Sequence, residues 1–462
     1  MLIWITLVLF MSWPQNHAFL IITKQTRHDG TRMTLRMADS EQKPPSKNQR
    51  DDWINRLLLG DDELNGSLFQ TAHKVIQQVL NSGNGSVCSL RRVHTFSSND
   101  SDASMSNNTA HLFEPLFGPN NQCNDDTKEV VSVKHFNHKK SKRKRINLKL
   151  TVAYKGSDFC GWEDQRHDLY RKETYKSVRD LKPCEMHSLP SVQGTLVDVL
   201  DPIFGRKTSN ATLASARLND SKTMPIEIKV AGRTDAGVSA IAQICRIRIW
   251  SNDLSNRRIE LDQSTGKIEC YVTDIVNEYT ASIGIGLRII NVQKVDDKFH
   301  PTFGATCRAY VYLIDLTDEE SSRSRNLQIT ESIVPKLDRM LTSLEGQSLD
   351  YFAFSYGKVK TQTTLCRLIC ARASLVELNS SDNKGPIEFR TPLTGQAICI
   401  ELVGDRFLRR MVRILVATAL REVLTDAENE NALINILKTR ERANAAPEAP
   451  PDGLIFVGAG YG

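Results

Sequence analysis

The chain has 462 residues, which is enough for two or three domains with a sizeable core. Hydrophobic residues make up 40% of it and charged residues 25%, as in an ordinary soluble globular protein rather than a fibrous or wholly disordered one. The net charge of +6 permits an RNA partner without requiring one. Ten scattered cysteines lack metal-binding spacing, so we predict reduced thiols and no zinc site or other metal.

The first 50 residues have the composition of a targeting segment. Leu2 to Met11 is an apolar run too short to span a bilayer, and residues 20–50 are basic and hydroxylated, as in transit peptides. We predict that residues 1–50 are a presequence for an organelle, a plastid or else a mitochondrion, and that the mature form has no membrane segment. If translation starts at Met33 or Met37 instead, the protein is expected in the cytoplasm or nucleus.

Residues 51–145 form a predicted N-terminal extension. Asp51 to Leu80 has helical spacing of apolar residues, while residues 81–128 are rich in Ser, Asn, Asp and Gly and predict a disordered linker. Lys134 to Arg145 is strongly basic. Such a run is a solvated tail, a nuclear-localisation signal or an arm that contacts RNA phosphates.

The predicted folded region opens at Ile146. Asn147 to Tyr154 alternates as a strand and runs into a Gly-rich turn with aromatic residues, Gly156 to Trp162. These aromatic residues need no ligand, since they can pack into a core. Residues 163–190 and 206–224 are predicted surface loops, and Val192 to Phe204 between them is predicted to be a helix.

A loop between two predicted strands carries the most informative residue. Pro225 to Val230 alternates, Ala242 to Trp250 alternates again, and Asp235 lies between them beside Arg233. A carboxylate on a short loop that two strands hold in place can act as a nucleophile or a base. The alternative is a plain turn in which the Asp caps backbone amides.

The second half of the chain repeats this mixture of strands and helices. Arg308 to Ile314 alternates as a strand, which places Tyr310 and Tyr312 on one face, either as core residues or as a surface for a ligand. Helices are predicted over residues 271–279 and 333–344. Further strands are predicted over residues 283–292, 363–376 and 397–403.

A basic segment precedes the last long helix. From Leu408 to Val423 apolar residues recur at helical spacing and predict a buried face. Arg409 and Arg413, four residues apart, are expected to share another face of that helix. We expect Arg410 and Arg421 to be solvated.

Gly232-Arg233-Thr234-Asp235-Ala236-Gly237-Val238 resembles the signature of the TruA family of tRNA pseudouridine synthases. Five further blocks resemble that family in the same order: residues 154–162, 308–312, 349–355, 404–413 and 442–454. The resemblance implies an α+β pseudouridine synthase fold. Two ferredoxin-like (RRM-like) halves, near 146–292 and 293–462, would place their antiparallel sheets around a central basic cleft.

The resemblance also assigns roles to five residues. Asp235 would be the catalytic nucleophile, and Arg413 would form an ion pair with it. Tyr310 would stack on the target base. Arg233 would displace the stacked base or hold a phosphate, and Leu454 would pack beside the Asp or serve as a plain core residue.

The implied reaction is isomerisation of uridine to pseudouridine on the 3′ side of the anticodon stem-loop of tRNA, by a homodimer that uses no metal or organic cofactor. Alternatives are action on other tRNA positions or other RNAs, and an inactive tRNA-binding protein on the same scaffold. Three positions depart from the usual family pattern. Ser239 replaces a His common in bacterial members, Glu448 replaces a Thr, and an Arg is missing near Thr302.

Overall fold

The chain divides into two compact units, Met1–Asp52 and Trp53–Gly462, in a computed structural model. The first unit contains a three-stranded antiparallel sheet of β1 (Trp4–Trp13), β2 (Asn16–Arg27) and β3 (Gly30–Ala38), in which β2 is central. The structure describes residues 4–13, 16–27, 30–38, 68–82, 90–93, 107–118, 145–164, 189–204, 206–207, 223–224, 226–250, 268–316, 329–358, 362–378, 396–425 and 429–461.

A ten-stranded sheet organises the second unit, with the order β10-β5-β9-β15-β11-β14-β13-β12; β8 also pairs with β9, and β4 with β13. A separate pair, β6 with β7, is two residues long in each strand. The strands are β4 (Leu90–Arg92), β5 (Arg145–Tyr154), β6 (Arg206–Lys207), β7 (Thr223–Met224), β8 (Glu227–Val230), β9 (Ser239–Trp250), β10 (Leu287–Val295), β11 (Ala305–Asp315), β12 (Ser348–Asp350), β13 (Leu365–Leu378), β14 (Gln396–Gly404) and β15 (Leu454–Tyr461).

The C-terminal strand joins the two parts of this sheet. β15 pairs antiparallel with β11 on one side and parallel with β9 on the other, where Ile455 lies opposite Ser239 and Phe456 opposite Ala240. Strands from before and after residue 293 therefore form one continuous sheet. The mixture of this sheet with several helices confirms the α+β class.

Eight helices lie within the described ranges. They are α1 (Gln70–Asn81), α2 (Asn107–Ala110), α3 (Glu114–Phe117), α4 (Val192–Phe204), α5 (Ile268–Ser282), α6 (Val334–Thr342), α7 (Met411–Thr425) and α8 (Ala432–Thr439). The predicted helices over residues 192–204, 271–279 and 333–344 are confirmed. Of the helices described, none is both long enough and apolar enough to cross a membrane.

Side chains of the sheet alternate between two hydrophobic clusters. Along β5, Leu148, Leu150 and Val152 belong to the larger cluster, together with the apolar faces of α4 to α8. Ala153 of the same strand belongs to the smaller cluster, as successive residues of a strand point to opposite faces. Both faces of the sheet are therefore covered.

Helix α1 covers the second face. It contacts β5, β9 and β11, and its buried residues Val75, Ile76 and Val79 join the smaller cluster. The start of the helix is fixed because the backbone N–H and the hydroxyl of Thr71 both donate to the carboxylate of Asp315 in β11. The N-terminal extension is thus part of the fold of the second unit.

The prediction of a disordered linker over residues 81–128 is wrong for the residues described there. β4 pairs with β13 at the sheet edge, where Arg92 binds Glu401 at 2.8 Å. The turn that joins α2 to α3 buries Leu112 and Phe113 against β15. A few buried apolar side chains and the partly buried ion pair of Arg92 with Glu401 hold this segment, although its average composition is polar. Residues 51–67, 134–144 and 165–188 of the other N-terminal and loop predictions lie outside the described residues.

We predict that Ile76→Ala lowers the stability of the chain by about 2–5 kcal/mol, because it leaves a cavity between α1 and the sheet. Gln77→Ala, one position along on the exposed side of α1, is the matched control and should change stability by less than about 0.5 kcal/mol. Urea unfolding of the full chain measures both. Equal midpoints for the two variants would show that α1 does not stabilise the fold.

Candidate active site

The loop that carries Asp235 connects β8 to β9. The Ala231 N–H donates to the carbonyl of Ile244 at 2.8 Å, which extends the ladder by one residue. The side-chain amide of Gln243 donates to the Gly232 carbonyl at 2.7 Å. The loop therefore starts from a fixed position.

The end of β5 and the Gly-rich turn after it hold the middle of the loop. The Tyr154 hydroxyl bonds to the hydroxyl of Thr234 at 2.8 Å, and the Trp162 N–H donates to the Thr234 carbonyl at 3.1 Å. Burial raises the pKa of Tyr154 to about 12, partly offset by its hydrogen bonds to Thr234 and Gln243, so it stays neutral. Trp162 itself is buried, as the core interpretation of this turn predicts.

Two glycines let these segments approach closely. A Cβ on Gly156 would lie 2.1 Å from the carbonyl oxygen of Gly237, so no other residue fits there without moving the loop. Gly237 has φ +79°, a left-handed conformation that side chains disfavour. The backbone of the loop is thus set by contacts on both sides of Asp235.

Two guanidinium groups face the Asp235 carboxylate, whose side chain is 33% exposed. Arg413 Nη1 lies 3.8 Å from Asp235 Oδ2, and Arg410 Nε lies 3.9 Å from the same oxygen. These distances are too long for hydrogen bonds and correspond to charge contacts. The predicted pairing of Asp235 with Arg413 thus agrees with the geometry, and Arg410 adds a second cation.

Arg413 is the more deeply buried of the two cations. Its Nε donates to the Ala449 carbonyl at 2.6 Å, and the Ala449 N–H donates back to the Arg413 carbonyl at 3.1 Å. Burial lowers the pKa of Arg413, opposed by the charges of Glu448 and Asp235. A guanidinium keeps its charge under such a shift, so Arg413 presents a fixed positive charge to Asp235.

Three predictions about the neighbouring arginines are wrong. Helix α7 begins at Met411, so Arg409 precedes it and is exposed instead of sharing a helix face with Arg413. Arg410 is turned inward, where it bonds to Glu448. Arg421 is 4% exposed and donates to the Asn444 carbonyl at 2.7 Å. The sequence pattern did not predict these positions, because a turn precedes the helix and the partners, Glu448 and Asn444, lie in the C-terminal segment.

Tyr310 lies in the same site as Asp235. Its ring makes edge-to-face contacts with Phe407 and with Phe456, and in each pair the ring centroids are 5.1 Å apart and the planes nearly perpendicular. A Cβ placed on Gly232 would lie 3.6 Å from the Tyr310 hydroxyl. Burial first, and then nearby charges that include Asp235, raise the pKa of Tyr310, so its hydroxyl is neutral.

Tyr312 serves the core. It is fully buried, and its hydroxyl donates to the Pro450 carbonyl at 3.0 Å. Leu454 is 5% exposed and lies opposite Tyr312 in the register of β11 and β15. Leu454 is therefore a core residue, and its packing beside Asp235 stays a prediction.

Arg233 extends from the loop into solvent. Its side chain is 69% exposed and pairs with Glu163 at 2.9 Å. An ion pair as exposed as this one contributes little to stability, so the guanidinium is free to exchange Glu163 for another anion.

Comparison with known proteins identifies relatives. Residues 344–462 match the family model described as tRNA pseudouridine synthase. A tRNA pseudouridine synthase A from Ehrlichia chaffeensis is 26% identical over 320 residues, which cover 68% of this chain and all of the relative. Relatives of the same name from Francisella tularensis subsp. mediasiatica and Brachyspira hyodysenteriae are 25% and 24% identical and are covered to 94% and 96%. The resemblance to the TruA family is confirmed.

Two departures from the TruA pattern take part in holding the loop. The Ser239 hydroxyl accepts a hydrogen bond from the Gly156 N–H at 2.9 Å. The Thr302 hydroxyl donates to the Val230 carbonyl at 2.6 Å, just before the loop. Arg308, which the sequence did not single out as a site residue, donates to the carbonyls of Ala231 and Thr302 and joins these segments. Its position at the start of the Arg–x-Tyr–x-Tyr strand was the available signal.

We expect Ser239→Ala to cost about 1–3 kcal/mol, because the buried Gly156 N–H would lose its acceptor. Ser157→Ala, on the exposed side of the same turn, is the control and should be nearly neutral. Denaturant unfolding compares the two. If Ser239→Ala is no less stable than Ser157→Ala, the hydroxyl does not hold the loop.

Proposed function

We propose that this protein is a tRNA pseudouridine synthase that isomerises uridine to pseudouridine with Asp235 as its nucleophile. The family match and the TruA-type relatives support the reaction class. The observation that carries the assignment of Asp235 is its setting. A half-exposed carboxylate on a rigid loop faces two guanidinium groups and lies in the same site as the ring of Tyr310.

The reaction moves the base without net oxidation or reduction. The bond from C1′ to N1 of uracil breaks, a bond from C1′ to C5 forms, the hydrogen on C5 leaves as a proton and N1 gains a proton. The uridine has to leave the base stack first, because its reacting carbons are shielded within a helix. A carboxylate held on a fixed backbone suits attack at C6 or at C1′ of the uridine.

The neighbouring side chains have separate tasks in this proposal. Arg413, held by its two hydrogen bonds to Ala449, orients the Asp235 carboxylate. Tyr310 is fixed in place by Phe407 and Phe456 and offers a ring for the extruded uracil, since stacking on an aromatic ring suits any base. Arg233 exchanges Glu163 for an RNA phosphate or fills the space that the flipped base leaves.

From the resemblance to TruA we further infer two ferredoxin-like halves around a basic cleft, assembly as a homodimer, and a target on the 3′ side of the anticodon stem-loop. The composition of residues 1–50 adds targeting to an organelle.

We predict that Asp235→Asn binds tRNA as tightly as the native chain but forms pseudouridine at least roughly a thousandfold more slowly, because the neutral amide is not a nucleophile. Asp274→Asn, on the exposed side of α5, is the matched control and should be fully active. Pseudouridine mapping of a tRNA transcript after incubation gives the rate, and a filter-binding assay gives the affinity.

Normal turnover by Asp235→Asn would overturn the assignment of the nucleophile. A native chain that binds tRNA and forms no pseudouridine would favour the alternative of an inactive binding protein. Product outside the anticodon arm would correct the target while leaving the reaction class intact.

A further inference from the structure

We infer that Arg410 is a second positioning residue for Asp235 and that Glu448 holds it in that role. The inference rests on the proposed function, since it concerns how the nucleophile is kept in place. Neither residue was predicted to belong to the site. Arg410 was expected to be solvated, and Glu448 is a departure from the TruA pattern, which has Thr there.

The backbone aims Arg410 inward at some cost. Arg410 has φ +58°, one of two residues other than glycine with a positive φ in the described part of the chain. A left-handed conformation is unfavourable for a residue with a side chain. Its carbonyl accepts the N–H of Ile414 at 3.1 Å, so this residue also starts helix α7. The strained turn directs the side chain toward Glu448 and Asp235 and away from the helix surface.

Three groups surround the Arg410 guanidinium. Nη1 donates to the Glu448 carboxylate, the Tyr356 ring centroid lies 3.9 Å from Cζ, and Nε lies 3.9 Å from Asp235 Oδ2. Burial alone would lower the pKa of Arg410, but the hydrogen bond and charge of Glu448, with Asp235, raise it. The cation is therefore held on two sides and presents its third side to the nucleophile.

The Nε–H of Arg410 indicates that this guanidinium positions the Asp235 carboxylate. This atom is buried and has no hydrogen-bond partner among the described residues. A buried donor without an acceptor is unfavourable, and the facing oxygen is that of Asp235. Because N–H···O bonds are about 2.7–3.2 Å long, a shift of roughly one ångström would complete the bond. The Nε–H of Arg410 can therefore donate to the Asp235 carboxylate when that carboxylate moves toward the substrate.

Glu448 and Arg410 also depend on each other through Arg413. Glu448 Oε1 lies 4.0 Å from Arg413 Nη2, about as near as Asp235 is to Nη1 of the same guanidinium. A lone carboxylate at position 448 would compete with Asp235 for Arg413. Because Arg410 pairs with Glu448, that competition is reduced and Arg413 remains available to Asp235. The four groups form a neutral set of two cations and two carboxylates.

The test measures single-turnover pseudouridine formation on a tRNA transcript, with kcat and KM, for Arg410→Gln, Glu448→Gln and the double variant. We expect Arg410→Gln to lower kcat by about tenfold to a hundredfold, because the carboxylate is misplaced and Glu448 is left to draw on Arg413. KM for tRNA should stay within about twofold. Arg410→Lys should recover part of kcat.

The double variant gives the diagnostic result. The double variant lacks the competing carboxylate as well, so its kcat should be higher than that of Arg410→Gln alone. The single variant Glu448→Gln should have a lower kcat than the native chain. Arg409→Gln is the matched control. It removes the same charge from the adjacent exposed residue and should leave kcat unchanged. Thermal unfolding of each variant confirms that the chain is folded.

Contrary outcomes have distinct meanings. A higher KM with native kcat in Arg410→Gln would make Arg410 a phosphate contact and overturn the inference. Losses that simply add in the double variant, or a native kcat in all three variants, would also overturn it. A native chain that forms no pseudouridine would instead remove the proposed function, and this inference with it.

Discussion

The site depends on the charge contact between Asp235 and Arg413. The two residues are far apart in the sequence, and Arg413 Nη1 lies 3.8 Å from Asp235 Oδ2. Arg413 is held by the hydrogen bonds that it exchanges with Ala449. The loop before Asp235 is held by Gln243, which donates to the Gly232 carbonyl, and by the Tyr154 hydroxyl, which bonds to Thr234. In the proposed reaction the carboxylate works beside a polyanionic RNA, so it needs a cation that stays in place, and the buried Arg413 guanidinium supplies one.

The sheet topology makes this contact possible. The C-terminal strand β15 lies between β9, which follows the Asp235 loop, and β11, which carries Tyr310. The segment just before β15 contains Glu448 and Ala449, so the last strand brings both partners of the arginines to the loop. The N-terminal extension contributes from the other face, where α1 packs on β5, β9 and β11 and supports the strands that carry the site.

Local patterns predicted much of this architecture, and long-range contacts account for what they missed. Alternation and helical spacing located the strands around Asp235 and the helix at Val192–Phe204, since both depend on neighbouring residues. The inward turn of Arg410 depends on Glu448, 38 positions away, and the docking of α1 depends on Asp315, 244 positions away. Ser239 looked like a departure, and its hydroxyl proved to hold Gly156.

Release of the C5 hydrogen of uridine tests the central claim most directly, because no step of simple RNA binding breaks that bond. The measurement uses tRNA labelled with tritium at C5 of its uridines and one equivalent of the full chain. We expect release of tritium into water from anticodon-arm uridines within a single turnover. Tight binding of that tRNA with no release of tritium would contradict it.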